Sequence, residues 1–326
     1  MSAPLLLTGA SGWFGRTALW EYEREHGPEA LRRDVIPYAS RERMVDFDSP
    51  HGPVKALPLE AIHEVQNPRG LLHLAFLTRD KVEELGLRRY VDTNRAITAH
   101  VAQVLQAWPS MPVVTTSSGA AAALDGRPPD LEGNPYATLK QEEELLLQRE
   151  AATRMAMVFR VYAATGRFMT RPEKFALGDF LLQALSGERI RIRAKRRVVR
   201  GYVHAGALLK LILKLMRNQK QDGYRVINAI SQEVDLKTLA NIIASHFGTA
   251  SVGERIDPSL TADIYTAPAD ELLNLSKLLD IQIPNLLNQV IDTSQGLAMF
   301  AQGEDAACLP QNHLPASSHF PNKWLK

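Results

Sequence analysis

The chain has 326 residues, 45% of them hydrophobic and 23% charged, which is the composition of a globular protein long enough for two domains. Its formal net charge of +2 is too small to attract nucleic acid, so we expect no nucleic-acid partner. The single cysteine, Cys308, excludes an intramolecular disulfide and a zinc site built from cysteines, and we expect no metal.

The sequence shows no sign of export or membrane insertion. The N-terminus lacks the basic segment and apolar run of a secretory signal. The apolar stretch 205–216 is shorter than the roughly 20 residues that span a bilayer, and Lys210 and Lys214 interrupt it. We therefore expect a cytoplasmic protein without a membrane partner.

Short apolar segments alternate with longer amphipathic ones over the first half of the chain, a pattern typical of parallel strands joined by crossover helices. The predicted elements there are strands at 5–7, 35–38, 54–57, 70–77, 112–116 and 156–162, and helices at 15–25, 91–108 and 136–150. The second half is mixed, with predicted helices at 175–186, 205–217 and 236–247, strands at 189–199 and 224–228, and an irregular tail from about 303.

This layout predicts an α/β fold. We expect a Rossmann doubly wound parallel sheet that binds NAD(P) in residues 1–165. A smaller mixed α/β domain that binds substrate would follow in residues 166–326, and strands from it could cross back to the first domain.

A turn rich in glycine follows the first predicted strand and opens a helix. Three glycines at this spacing permit a tight turn, a close approach of the backbone to a pyrophosphate, and close packing of helix on strand. The helix N-terminus adds N–H groups and a partial positive charge. We therefore expect a dinucleotide cofactor, held by the residues of this turn: Gly9, Ser11, Gly12, Trp13, Phe14 and Gly15.

The end of the second predicted strand indicates which dinucleotide binds. An acidic residue there would favour NAD, because it can hydrogen-bond the ribose hydroxyls, whereas an arginine accommodates a 2′-phosphate. This strand ends without an acid and is followed by Ser40 and Arg41. We expect these two residues to contact NADP, with NAD as the alternative, or else to be ordinary solvated loop residues.

Tyr136 and Lys140 are four residues apart and share one face of a predicted helix. An adjacent ammonium favours the tyrosinate, so we expect Lys140 to lower the pKa of Tyr136 toward the range useful for proton transfer. Ser118 follows a predicted core strand, at the edge where α/β sheets bind ligands.

Together these features resemble the extended branch of the short-chain dehydrogenase/reductase superfamily, the NAD-dependent epimerase/dehydratase family, over residues 4 to 245. The resemblance also rests on segments 73–76, 117–120 and 200–204, and on Asn94. It implies a homodimer formed through the helices at 91–108 and 136–150.

The resemblance implies a role for each matching residue. Tyr136 would be the general acid/base, and Lys140 would assist it and hold the nicotinamide ribose. Ser118 would hydrogen-bond the reacting oxygen. Asn94 would maintain a proton relay, or simply hydrogen-bond locally. The segment beside the cofactor would contribute three further contacts: Leu74, Ala75 and Phe76.

The resemblance also narrows the reaction. Sugar-nucleotide dehydratases carry Asp and Glu after the catalytic Ser or Thr, where this chain has Gly119 and Ala120. Many epimerases carry a substrate-contacting Asn at the position of Ala163. Arg200 matches an arginine that contacts the substrate diphosphate, a role that suits its bidentate guanidinium.

We therefore expect reduction of a 4-keto group on a nucleotide-activated deoxysugar. One alternative is a nucleotide-sugar 4-epimerase that retains its cofactor. Another is a binding protein that senses NADP without catalysis.

Overall fold

The structure is a computed structural model that describes residues 3–218, 223–253 and 256–302. Cys308 and the irregular tail expected from about residue 303 lie outside the described residues. No helix in the described part of the chain is both long and apolar enough to cross a membrane.

The strands, in chain order, are β1 (Leu5–Thr8), β2 (Val35–Ala39), β3 (Arg43–Val45), β4 (Val54–Pro58), β5 (Gly70–His73), β6 (Val113–Ser118), β7 (Met155–Val161), β8 (Ala163–Thr165), β9 (Ile190–Ile192), β10 (Val198–His204), β11 (Gly223–Ala229), β12 (Gln232–Asp235), β13 (Ser251–Gly253) and β14 (Asp263–Tyr265).

The α-helices are α1 (Trp13–His26), α2 (Pro28–Asp34), α3 (Lys81–Leu85), α4 (Leu87–Ala107), α5 (Gly119–Ala122), α6 (Pro135–Glu150), α7 (Ala176–Leu185), α8 (Ala205–Arg217), α9 (Leu236–Phe247), α10 (Asp270–Leu278) and α11 (Leu286–Gln302). Short 3₁₀ helices span Leu59–Glu64, Ala151–Thr153 and Pro172–Lys174.

The chain divides into two units. The first consists of Met1–Tyr162, Ala205–Ile230 and Ala267–Gln282, and the second of Ala163–His204, Ser231–Thr266 and Ile283–Lys326. The chain thus leaves the first unit close to the predicted boundary at residue 165 and later returns to it twice.

The described strands of the first unit form one sheet in the order β11-β7-β6-β5-β1-β2-β4-β3. All neighbouring pairs are parallel except β3 with β4, which is antiparallel at the edge. The strand order reverses between β1 and β5, and α/β sheets bind ligands beside the carboxyl ends of strands at such a point. The predicted α/β class with a Rossmann sheet is confirmed.

Alternating side chains of β1 supply core on both faces of this sheet, as the two-residue period of a strand requires. Leu5 and Leu7 pack with Leu19 of α1 and Leu213 of α8. Leu6 belongs to a second buried cluster, which includes residues of α4 and α6. β1 is therefore buried on both faces, as expected for a central strand of a parallel sheet that is covered on both sides.

In the second unit, β10 pairs antiparallel with β12 and parallel with both β8 and β14. A separate parallel pair joins β9 and β13. Two hydrogen bonds of 2.8 Å connect helix α11 to the end of β8. Thr165 donates one to Gln289, and the Gly166 N–H donates the other to Thr293. The unit is mixed α/β.

Two predicted strands differ in the structure. The single strand expected at 189–199 is wrong, because β9 and β10 are separate strands. Between them, the carbonyl oxygens of Lys195 and Arg197 accept backbone hydrogen bonds from Asp257 and Asp263 instead of continuing one ladder.

The strand expected at 70–77 ends at His73, the last residue of β5. The chain leaves the sheet there because side chains, not a neighbouring strand, accept the N–H groups of Leu74, Ala75 and Leu77.

Candidate active site

The glycine turn after β1 is packed too tightly for larger residues. Gly9 has a φ of +70°, and a Cβ there would lie 2.6 Å from the Ala75 nitrogen. A Cβ on Gly15 would lie 2.1 Å from the Gly9 carbonyl oxygen. The first contact sets the turn against the segment after β5, and the second lets α1 approach the turn.

The start of α1 meets the requirements of a pyrophosphate site. Gly12 is its N-cap and has no side chain with which to cap it, and no acidic residue lies in its first turn. Phosphate oxygens would therefore meet backbone N–H groups and the positive end of the helix dipole without a competing carboxylate. Ser11, Trp13 and Phe14 are partly exposed around this turn. These residues fit the phosphates of a dinucleotide.

The residues predicted to choose between NADP and NAD lie just beyond β2. Ser40 and Arg41 are both exposed. The nearest acid, Glu42, pairs with Lys55 across the β3–β4 edge, with 2.9 Å between Oε1 and Nζ.

Asn94 holds the backbone of the segment after β5. Its Oδ1 accepts the Leu77 N–H at 2.8 Å, and its Nδ2 donates to the Tyr90 carbonyl at 3.3 Å. The side chain is buried, and these contacts correspond to the local hydrogen bonding weighed for it from the sequence. Its role in a proton relay remains a prediction.

Ser118 and Tyr136 meet at the carboxyl end of β6. Helix α6 is capped by Asn134, whose Oδ1 accepts the Ala137 N–H at 3.3 Å, and this places Tyr136 in its first turn. The Tyr136 and Ser118 hydroxyls share a hydrogen bond. The edge of the Phe76 ring also faces Tyr136, with the ring centroids 5.8 Å apart.

Lys140 lies one turn further along α6 and is buried. Its Nζ donates to the Thr116 carbonyl oxygen and to Glu143 Oε2, both at 2.9 Å. The same ammonium lies 3.8 Å from the centroid of the Phe76 ring, within the range of a cation–π interaction. The structure therefore brings Ser118, Tyr136, Lys140 and Phe76 together.

The expectation that Lys140 lowers the pKa of Tyr136 is wrong. Burial raises the pKa of the phenol above its ordinary value, the hydrogen bond from Ser118 opposes the rise, and the Glu143 carboxylate adds to it. The Lys140 ammonium is balanced by that same carboxylate. Tyr136 is therefore a phenol that holds its proton.

Sequence reasoning missed Glu143, although its position three residues after Lys140 on the same helical face could have revealed it. It also missed the contact between Gly119 and Tyr162. A Cβ on Gly119 would lie 2.3 Å from Cε1 of the Tyr162 ring. A larger residue at position 119 would require this ring to move.

In the second unit, the Arg200 guanidinium binds the Asp263 carboxylate through both Nη atoms, at 3.1 and 2.7 Å. The pair is partly exposed. The hydrogen bond from Arg200 lowers the pKa of Asp263 and keeps that carboxylate ionised. Contact of Arg200 with substrate remains a prediction.

A family model described as the NAD dependent epimerase/dehydratase family matches residues 5–229. This chain belongs to that family. The match extends from the start of β1 to the end of β11 and covers every predicted site residue. It confirms the resemblance seen in the sequence, the class of NAD(P)-dependent short-chain dehydrogenases/reductases, and the predicted cofactor class, a nicotinamide dinucleotide.

Solved structures of similar fold include MoeE5 in complex with UDP-glucuronic acid and NAD, 17% identical with a TM-score of 0.69, covering 91% of this chain and 99% of that one. UDP-glucose 4-epimerase from the hyperthermophilic eubacterium Thermotoga maritima, with UDP-glucose, is 16% identical with a TM-score of 0.65 and the same coverage.

The dTDP-glucose 4,6-dehydratase from Bacillus anthracis, in complex with NAD, is 14% identical with a TM-score of 0.67, covering 93% of this chain and 98% of that one. At these identities the likeness shows a shared fold alone. A sequence comparison with curated proteins found no match.

Proposed function

We propose that this epimerase/dehydratase family member is an NADP(H)-dependent oxidoreductase that reduces a 4-keto group on a nucleotide-activated deoxysugar, with Tyr136 as proton donor. The observation that carries the proposal is the hydrogen bond between Tyr136 and Ser118 at the carboxyl end of β6. That end of the sheet also holds the glycine turn, and bound NADPH would supply the hydride.

The two hydroxyls can act together on one oxygen. A ketone oxygen within reach of both would accept hydrogen bonds from Ser118 and Tyr136, and these would strengthen as negative charge develops on it. Tyr136 would then give its proton to that oxygen. Because the pKa of Tyr136 is raised, the phenol is protonated at neutral pH, which suits a proton donor in reduction better than a base in oxidation.

The packing around Gly119 supports a reaction without dehydration. Dehydration of a sugar needs an acid and a base placed beside the serine, and the Tyr162 ring occupies the space that a side chain at position 119 would need. Ala120 likewise offers no titratable group.

The choice of NADP rests on the end of β2. Ser40 and Arg41 are exposed and could receive a 2′-phosphate, whereas Glu42 is engaged by Lys55. A carboxylate free to bind both ribose hydroxyls would instead favour NAD.

The substrate class follows from the family and from its similar structures, which were solved with UDP-glucose and UDP-glucuronic acid. A nucleotide sugar carries a diphosphate, and we propose that Arg200 binds it. The guanidinium would either leave Asp263 for the phosphate oxygens or bind both groups. Homodimerisation through α4 and α6 and a cytoplasmic location complete the proposal.

A nucleotide-sugar 4-epimerase is the second candidate, favoured by similar structures that bear that name. An epimerase would oxidise and then reduce the same carbon and consume no dinucleotide. The raised pKa of Tyr136 supports the reductase, because epimerisation begins by removing a proton.

The test measures NADPH consumption with 4-keto sugars linked to UDP, dTDP, GDP and CDP. Tyr136→Phe should lower kcat/KM by about 10²–10⁴-fold, because the proton donor is lost, while NADPH binding measured by calorimetry persists. Tyr224→Phe, a partly buried tyrosine on β11, is the matched control and should keep full activity.

Undiminished turnover by Tyr136→Phe would contradict the proposal. Epimer formation without NADPH consumption would identify the epimerase. Dinucleotide binding with neither reaction would identify the binding protein that senses NADP.

A further inference from the structure

A cluster of buried polar side chains lies beneath the proposed catalytic residues, and we call it the Glu143 cluster. Each of its members is at most 5% exposed. The cluster consists of Thr8, His73, Thr115, Lys140 and Glu143. The family resemblance gives a role to Lys140, and neither it nor the proposed reaction gives one to the other four.

Hydrogen bonds determine the proton positions on one side of the cluster. Thr8 Oγ1 accepts the N–H groups of Leu74 and Ala75 at 3.1 and 3.2 Å, so its own hydrogen is free to be donated to His73 Nδ1 at 2.7 Å. Burial lowers the pKa of His73 to about 4, so the ring is neutral. Its remaining proton is therefore on Nε2, 3.5 Å from Glu143 Oε1.

Glu143 is the anion of the cluster. Its Oε2 accepts from Lys140 at 2.9 Å, and its Oε1 accepts from the Thr115 hydroxyl at 2.5 Å. Burial alone would raise the pKa of Glu143, but the Lys140 ammonium, His73 and the Thr115 hydroxyl outweigh it and lower the pKa below its ordinary value. A buried ammonium and a buried carboxylate thus compensate each other.

We propose that Glu143 is a positioning residue of the active site, one that fixes the Lys140 ammonium between Thr116 and Phe76 and balances its charge. Two contacts of Nζ support this, the ion pair with Oε2 at 2.9 Å and the Phe76 ring, whose centroid is 3.8 Å away. Glutamine could accept one hydrogen bond from Lys140 but could not balance its charge.

The consequence for Tyr136 follows from charge. The groups that interact with its phenol are Ser118 from β6, Tyr90 from α4 and Glu143 from its own helix. Of these, Glu143 disfavours the tyrosinate, because a second negative charge nearby is repelled. Glu143 would therefore keep Tyr136 protonated, which is the state that a proton donor needs; this catalytic reading rests on the proposed function.

The test is a pH titration of Tyr136 in the protein without added ligand, followed by the NMR signals of isotope-labelled tyrosine ring carbons. The signal of Tyr136 is assigned by its absence from the spectrum of Tyr136→Phe. In Glu143→Gln we expect the midpoint to fall on the order of 0.5 pH unit, because a repelling charge is removed. Glu142→Gln is the matched control. It makes the same change one residue away, at an exposed ion pair with Arg95, and should leave the midpoint unchanged.

The conservative Glu143→Asp keeps the charge and should stay within about 0.2 pH unit of the wild-type midpoint. The proposal is overturned if Glu143→Gln titrates like the wild type, or if Glu143→Asp shifts as far as Glu143→Gln, since packing would then be the cause.

If Glu143→Gln does not fold, the Tyr136 midpoint is compared between Lys140→Met and the double variant Lys140→Met/Glu143→Leu. The double variant removes both members of the ion pair, so it contains no unpaired buried charge at this site. A lower midpoint in the double variant supports the proposal, and equal midpoints overturn it.

A kinetic measurement separates this inference from the proposed function. If the reductase activity exists, Glu143→Gln should lower kcat on the order of tenfold and change KM for substrate little, because Lys140 is misplaced while the substrate site is intact. Absence of any turnover in the wild type would refute the proposed function and leave the NMR result standing.

Discussion

His73 shows at the scale of one residue how burial decides charge. The ring is 1% exposed and lies between the Thr8 hydroxyl and Glu143. Burial lowers its pKa from 6.5 to about 4, Lys140 adds to the shift, and Glu143 opposes it. At pH 5 the folded protein therefore carries a neutral ring where the unfolded chain carries a cation.

We expect the folded state to lose stability as the pH falls from 6.5 to 4. Across this window the unfolded chain binds a proton on His73 that the folded chain excludes, so the free energy of unfolding falls with the pH. His73 alone would contribute a loss of up to about 3 kcal/mol. Urea unfolding at several pH values measures it.

In that experiment His73→Gln should lose less stability over the same window than the wild type. The exposed His51→Gln should follow the wild type. A pH dependence of His73→Gln equal to that of the wild type would refute the account.

At the scale of elements, Arg154 joins the ends of two helices. It is 2% exposed, and its guanidinium donates to the carbonyl oxygens of Leu105 and Trp108 at the end of α4, at 2.8 and 3.0 Å. Its Nε donates to the Glu150 carbonyl at the end of α6, also at 2.8 Å. The last carbonyls of a helix lack partners within the helix, and this side chain supplies them.

Arg154→Met should lower the free energy of unfolding by about 2–4 kcal/mol, because it leaves buried carbonyl groups without donors. Denaturant unfolding checks the value. Arg149→Met removes an exposed arginine from the last turn of α6 and should cost less than about 0.5 kcal/mol. Equal losses in the two variants would show that the buried contacts do not stabilise the helix ends.

At the scale of the whole molecule, a ligand that binds only the folded chain stabilises all of it. NADP at 100 times its Kd should raise the free energy of unfolding by about 2.7 kcal/mol, and NAD at the same concentration should raise it less. Thermal unfolding with each dinucleotide measures the order of preference.

Arg41→Asp should reverse this order, because a carboxylate repels the 2′-phosphate and can bind the ribose hydroxyls. Arg89→Asp, at an exposed position on α4, controls for the change of charge and should leave the order unchanged. An unaltered preference in Arg41→Asp would reject the assignment of Arg41.

The sequence by itself determined the features that depend on neighbours along the chain. The glycine turn lies between a strand and a helix only a few residues apart, and Tyr136 and Lys140 share a helical face through their spacing alone. The alternation of apolar and amphipathic segments likewise determined the parallel sheet, because each crossover helix follows its strand directly.

Only the tertiary structure decided which side chains meet across the sheet. Glu143 contacts His73 and Thr115 because β5 and β6 are neighbouring strands that pair His73 with Thr115. The spacing of these residues in the sequence does not predict that pairing. Burial of Tyr136, with the Glu143 carboxylate adding to it, likewise raised the pKa of this phenol where the sequence predicted a fall. The spacing of Tyr136 and Lys140 predicts only the effect of one ammonium on the tyrosine pKa. Burial and the Glu143 carboxylate, which folding brings near, determine the net direction of the shift.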